Sequence, residues 1–164
     1  MKRARWKLTA CGLAFAILNG ICDAQSDTAV VTPSATRHTA LTESNRVIVE
    51  RFVDLFYRQR NVRLAFERYV TDDYVQHNPN IADGREAAIN ALTPLFSAPG
   101  ARFDVKRVLV DGDLAAVHLF GRSSEEGLGG AVVDLFRLKN GKIVEHWDVL
   151  QPIPTKAANA HPMF

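Results

Sequence analysis

GGAVVDLFRLKNGKIVEHWDVLQ, residues 129–151, decides the fold. Gly129 to Leu138 and Lys142 to Gln151 are rich in Val, Leu and Phe, and the Asn140-Gly141 pair between them has the chemistry of a tight hairpin turn. Side chains alternate across a strand. In the second half Val144, His146, Asp148 and Leu150 therefore share one face, and Ile143, Glu145, Trp147 and Val149 share the other. A strict two-residue loop pairs position 134 with 147, whereas a loop carrying a Gly bulge pairs 134 with 146. The bulged register is the expected one. Immediately upstream, Arg102 to Val110 and Leu114 to Arg122 read as two more strands joined at Asp111-Gly112-Asp113, so the last third of the chain is an antiparallel meander.

The residues before the meander change period. Thr42 or Ser44 can cap a helix in which Val47, Ile48, Phe52, Leu55 and Phe56 recur at helical spacing. After Asn61, Leu64, Phe66 and Tyr69 form a second, shorter helical run that Thr71-Asp72-Asp73 closes, and a brief strand from Tyr74 to His77 follows. Asn78-Pro79-Asn80 turns the chain. Asp83 and Glu86 form a capping pair for a third helix, which Pro99-Gly100 stops. Helices first and an antiparallel sheet last predict one α+β domain, from Leu41 to Pro154. Gln25 to Ala40, rich in Ser, Thr and Ala, reads as a flexible leader. Thr155 to Phe164 reads as an irregular tail, and Met163 and Phe164 are apolar enough to be expected to cover a pocket or pack on a partner subunit.

At the other end, Lys2, Arg3, Arg5 and Lys7 precede an apolar stretch from Leu8 to Ile21, the pattern of a secretory signal. Cleavage is expected after Ala24, which would deliver the protein to the periplasm or the medium. The rest of the chain then carries 16 basic and 17 acidic residues, with no basic patch for nucleic acid and no polybasic case for a membrane surface. Both cysteines, Cys11 and Cys22, fall in the signal, so the mature protein is expected to rely on its core rather than on a disulfide.

Three stretches carry a family resemblance: Tyr74-Val75-Gln76-His77-Asn78-Pro79, the hairpin from Asp134 to Asp148, and the terminal Pro162-Met163-Phe164. In these the chain resembles the SnoaL-like branch of the nuclear-transport-factor-2-like superfamily. The resemblance implies a cone-shaped α+β fold in which about three helices close over a bent sheet and leave a pocket. It also implies a homodimer paired through the outer sheet face. Family members include polyketide cyclases, which close rings by aldol chemistry without a cofactor, and more distantly ketosteroid isomerase. By this resemblance the cyclases' acid/base carboxylate maps to Asp148, and Asp134 matches a neighbouring position that is often His.

The residues themselves support a site on that hairpin. The bulged register places Asp134, His146 and Asp148 on an apolar face with Val132, Phe136, Val144 and Leu150. Apolar walls disfavour a carboxylate's charged form and raise its affinity for a proton, which suits acid/base work. The bland alternative is a set of paired structural carboxylates, with His146 orienting one of them. His118 and His77 are candidates for holding a carbonyl oxygen, while Tyr74 and Phe120 are read as packed pocket walls. No recognised metal spacing appears, and no cofactor is expected. These features predict proton transfer next to a carbonyl on a small apolar or aromatic molecule. The alternatives are a non-catalytic pocket for such a molecule and a structural dimerisation module.

Overall fold

The computed structural model describes residues 32–164. The expected signal, residues 1–24, lies outside the described residues, as do residues 25–31 of the expected leader. Three helices and five strands follow in the order α1 (Pro33–Val53), α2 (Val62–Tyr69), β1 (Val70–Gln76), α3 (Arg85–Ser97), β2 (Arg102–Asp111), β3 (Leu114–Arg122), β4 (Gly130–Lys139) and β5 (Lys142–Pro152). This is the α+β class expected from the sequence. The strand order across the sheet is β1-β5-β4-β3-β2, antiparallel throughout except that β1 runs parallel to β5.

Three boundaries differ from expectation. The first helix begins at Pro33, eight residues before the expected domain start, because Thr32 caps it through its hydroxyl and the Pro takes the first turn, where no N–H is needed. Residues 33–40 are therefore helical, and Thr42 instead accepts the N–H of Gly112 in the β2–β3 turn. Thr71-Asp72-Asp73 does not end α2; it continues straight into β1. Asp83 does not cap α3, which starts from Gly84 at φ +95°, because the Asp83 carboxylate accepts the N–H of Gln76 and fastens the loop to β1.

The helical layer covers one face of the sheet with an aromatic cluster. Phe52, completely buried, packs against Phe56, Phe66 and Phe136 at ring separations of 5.2, 5.7 and 5.3 Å. After Val53 the helix widens into a π-turn, Asp54–Arg58, where the Gln59 N–H reaches back to the Asp54 carbonyl. Tyr57 enters the interior from this turn.

The β4–β5 register departs from both loop geometries considered. Asn140 and Gly141 both have positive φ, 51° and 75°, which is the tight two-residue turn rather than a Gly bulge. The irregularity lies one step further on, between the pairs Leu138↔Ile143 and Arg137↔Glu145, with Val144 as the extra residue. Asp134 consequently sits opposite Asp148, and Phe136 opposite His146. Position 148 has the same parity as 146, so Asp134, His146 and Asp148 still share the inner face. Val144 does not line the pocket, because Ile143 takes the inward position before the bulge and is fully buried there.

Candidate functional site

Between the helices and the inner sheet face lies a cavity of about 590 Å³. Its walls include Phe56, Phe66, Phe96, Phe103 and Phe136; one set of polar groups gathers where β1, β4 and β5 meet, and Arg122, Ser123 and Ser124 line it at the end of β3. Asp134 and Asp148 face each other across the β4–β5 ladder, an arrangement that repels unless each charge is matched. Each carboxylate is matched differently. Asp134, only 8% exposed, accepts the Tyr57 hydroxyl on Oδ2 at 2.6 Å and lies 3.0 Å from His146 Nε2 through Oδ1. Asp148 accepts the Asn78 side-chain amide on Oδ2 at 2.6 Å, and its Oδ1 has no protein partner among the described residues.

The imidazole of His146 lies between aromatic neighbours, 5.1 Å from the Phe136 ring and 6.4 Å from that of Tyr74. Its Nδ1 is 2.8 Å from Gln76 Oε1. The same oxygen accepts the Asn78 backbone N–H at 2.9 Å, which fixes the orientation of the Gln76 amide. His146 Nδ1 therefore donates. Gln76 Nε2 is buried and has no hydrogen-bond partner among the described residues. Asp134, His146 and Asp148 each offer an atom within 4.8 Å of the others. A cation gripped by all three would have to displace one of the hydrogen bonds that engage both nitrogens of His146. The arrangement is that of a hydrogen-bonded proton network.

Burial, then the Asp134 charge and its hydrogen bond, push the Tyr57 hydroxyl well above the ordinary tyrosine pKa of 10.0. Burial, then the charges of Asp134 and Asp148, raise that of Tyr74, which the adjacent Gln76 amide partly opposes. Both phenols are donors at any physiological pH. Above about pH 10 the unfolded chain sheds these two protons while the folded chain keeps them, so stability is complete below that pH and falls above it. The expected slope is about 1.4 kcal/mol per pH unit for each phenol. Urea unfolding followed between about pH 9 and 11 should show it, and Tyr74→Phe should remove roughly half of the decline.

The structure brings Asp134, His146, Asp148, Tyr74, Phe136 and Leu150 to the cavity, as expected, and leaves four expected residues away from it. Val144 is displaced by the bulge. His118 stands on the outer sheet face, where its Nδ1 accepts from Arg107 at 2.9 Å, because Val117 and Leu119 take the inward positions of β3. Phe120 shares that outer face and packs 5.3 Å from Phe164, so the C-terminal tail lies against the outer sheet and not over the cavity. His77 is also outside: it stacks on Trp147 at 4.7 Å and 5° and meets Glu145 at 2.9 Å. The His77 and Arg137 hydrogen bonds hold the Glu145 carboxyl below its usual range. Tyr57, Gln76 and Asn78 are site residues that the sequence reading missed. Each carried a signal, since Tyr57 lies four residues beyond Val53 on the apolar side of α1, and Gln76 and Asn78 alternate with Tyr74 on one strand face.

The family model described as SnoaL-like domain matches residues 49–146. A nuclear-transport-factor-2-like protein of unknown function from Mesorhizobium loti is 26% identical, with a TM-score of 0.59 over 67% of this chain and 93% of that one. A candidate SnoaL-like polyketide cyclase from Jannaschia sp. CCS1 is 22% identical, with a TM-score of 0.57 over 67% of this chain and 87% of that one. A candidate ketosteroid isomerase from Kribbella flavida is 20% identical, with a TM-score of 0.57 over 74% of this chain and 84% of that one. No curated protein matches the chain.

Proposed function

The chain belongs to the SnoaL-like domain family, and from that premise we propose that its cavity binds a small, neutral, apolar carbonyl compound and moves a proton on the carbon beside the carbonyl. The observation that carries this reading is Asp148 Oδ1, a carboxylate oxygen on the cavity wall with no partner among the described residues, next to a second oxygen held in place by Asn78. Asp148 takes the proton, the C–H electron pair becomes the enolate double bond, and negative charge develops on the carbonyl oxygen. Tyr74 lines the same cavity, keeps its proton, and is the donor for that oxygen. Return of the proton to a different carbon gives isomerisation. Attack of the enolate carbon on a second carbonyl gives a new C–C bond, with the proton delivered to the resulting alkoxide.

The test needs no prior substrate. The protein is incubated in D₂O with a panel of cyclic and aromatic ketones, and NMR follows loss of the C–H signal beside each carbonyl. Exchange above the buffer rate is the expected result; saturable binding without exchange would favour a ligand-binding pocket instead. The reading includes export after removal of residues 1–24, which N-terminal sequencing of protein recovered outside the cytoplasm would check.

It also includes a homodimer through the outer sheet face. Leu109 and Val149, each 65% exposed, flank Leu135 and Trp147 on that face, an apolar surface that a second copy would cover. Val149→Asp should shift sedimentation from dimer to monomer. A monomeric parent protein would remove this part of the proposal.

A further inference from the structure

We infer that Tyr57 is a positioning residue of this site: its hydroxyl holds Asp134 as a carboxylate and thereby keeps on the His146 imidazole the single proton that the two side chains share. The inference rests on the proposed function only in taking this cavity as the site.

The geometry leaves little freedom. Gln76 Oε1 is committed as an acceptor by the Asn78 backbone N–H, so His146 Nδ1 must carry a hydrogen. The other ring nitrogen, Nε2, faces Asp134 Oδ1 at 3.0 Å, and two lone pairs cannot face each other there. One proton lies between them. It sits either on the ring, giving an imidazolium and a carboxylate, or on Asp134, giving a neutral imidazole and a carboxylic acid. Nothing in the sequence chooses between these states.

Burial disfavours both charges and by itself favours the neutral pair, so the ion pair needs contacts that hold Asp134 charged. From the π-turn, the Tyr57 hydroxyl donates to Asp134 Oδ2 at 2.6 Å. Such a bond is about twice as strong to a carboxylate as to a neutral carboxyl oxygen, so it favours the charged form of Asp134. From β4, the Phe136 ring lies 5.1 Å from the imidazole and favours a cation beside it. From β5, the Asp148 charge repels a charged Asp134 but attracts a charged His146, and these effects oppose each other across the pair. Among the described residues, the Tyr57 bond is thus the one hydrogen bond that acts on Asp134 alone. Removing the hydroxyl leaves Oδ2 buried without a partner and hands the advantage to the neutral pair.

The experiment observes the full chain with ¹⁵N-labelled histidine at pH 7 in buffer containing a chelator, with His146 assigned by its absence from His146→Gln. In the parent protein both ring nitrogens of His146 should show directly bonded hydrogen. In Tyr57→Phe, which keeps the ring stacked on Phe56 at 4.5 Å, Nδ1 should keep its hydrogen and Nε2 should lose it, an equilibrium shift of about tenfold or more. A parent protein whose Nε2 lacks hydrogen overturns the inference without any variant, and so does a folded Tyr57→Phe protein whose Nε2 keeps it. Failure of the ketone exchange assay is read in a different sample by a different signal, so the two ideas fall separately.

Discussion

Asp148→Asn lowers proton exchange on any ketone the protein accepts by about 10²–10⁴-fold and leaves its melting temperature within a few degrees of the parent. The size follows from removing the one group proposed to take the proton, since an amide at that place is not a base at neutral pH. The lack of a folding penalty follows from the partners. Asn offers a carbonyl oxygen where Asp148 Oδ2 now accepts the Asn78 amide, so that bond survives. The substitution also removes the like charge facing Asp134 across the ladder. Exchange rate and thermal melting on the same preparations check the pair of outcomes. Retained exchange in a folded variant would transfer the proton chemistry to another group or leave the cavity as a binding pocket.

Phe52→Ala produces the opposite pattern, a large loss of stability from a residue that does not line the cavity. Phe52 is fully buried and is the hub joining Phe56, Phe66 and Phe136, so its truncation leaves a void bounded by rings that the helices and the sheet hold apart. A buried Phe→Ala change costs about 3–5 kcal/mol, which corresponds to roughly 10–20 °C in a domain of this size. Calorimetry would measure it. A drop of only a few degrees would mean that the cluster collapses around the gap and that the aromatic layer is far more yielding than its packing indicates.

The order of elements was legible because each was written in its own local chemistry. Asn140-Gly141 needs two positive φ values and appears where the hairpin turns. Asn61 caps α2 through its side chain, and the meander strands begin and end within a residue or so of their expected limits. The shared face of Asp134, His146 and Asp148 was also legible, although the pairing behind it was not. The expected and observed registers differ by two positions, and a period of two leaves the faces unchanged.

What local chemistry could not supply was the choice between two similar faces and between partners distant in sequence. On β3 both Ala115-Val117-Leu119 and Ala116-His118-Phe120 are apolar enough to face a core, and only the helices packed on one side decide that His118 and Phe120 point away. His77 carries a family motif, yet strand alternation beside β5 stacks it on Trp147 and turns its neighbours Gln76 and Asn78 inward. The sequence by itself determined an α+β chain of three helices and an antiparallel meander whose last hairpin bears two aspartates and a histidine on one face. The tertiary structure alone decided which groups surround them, placing Tyr57 from a helical turn against Asp134 across 77 positions of chain and Asn78 from the β1–α3 loop against Asp148 across 70. Such contacts arise from packing layers against one another, and no periodicity within a layer encodes them.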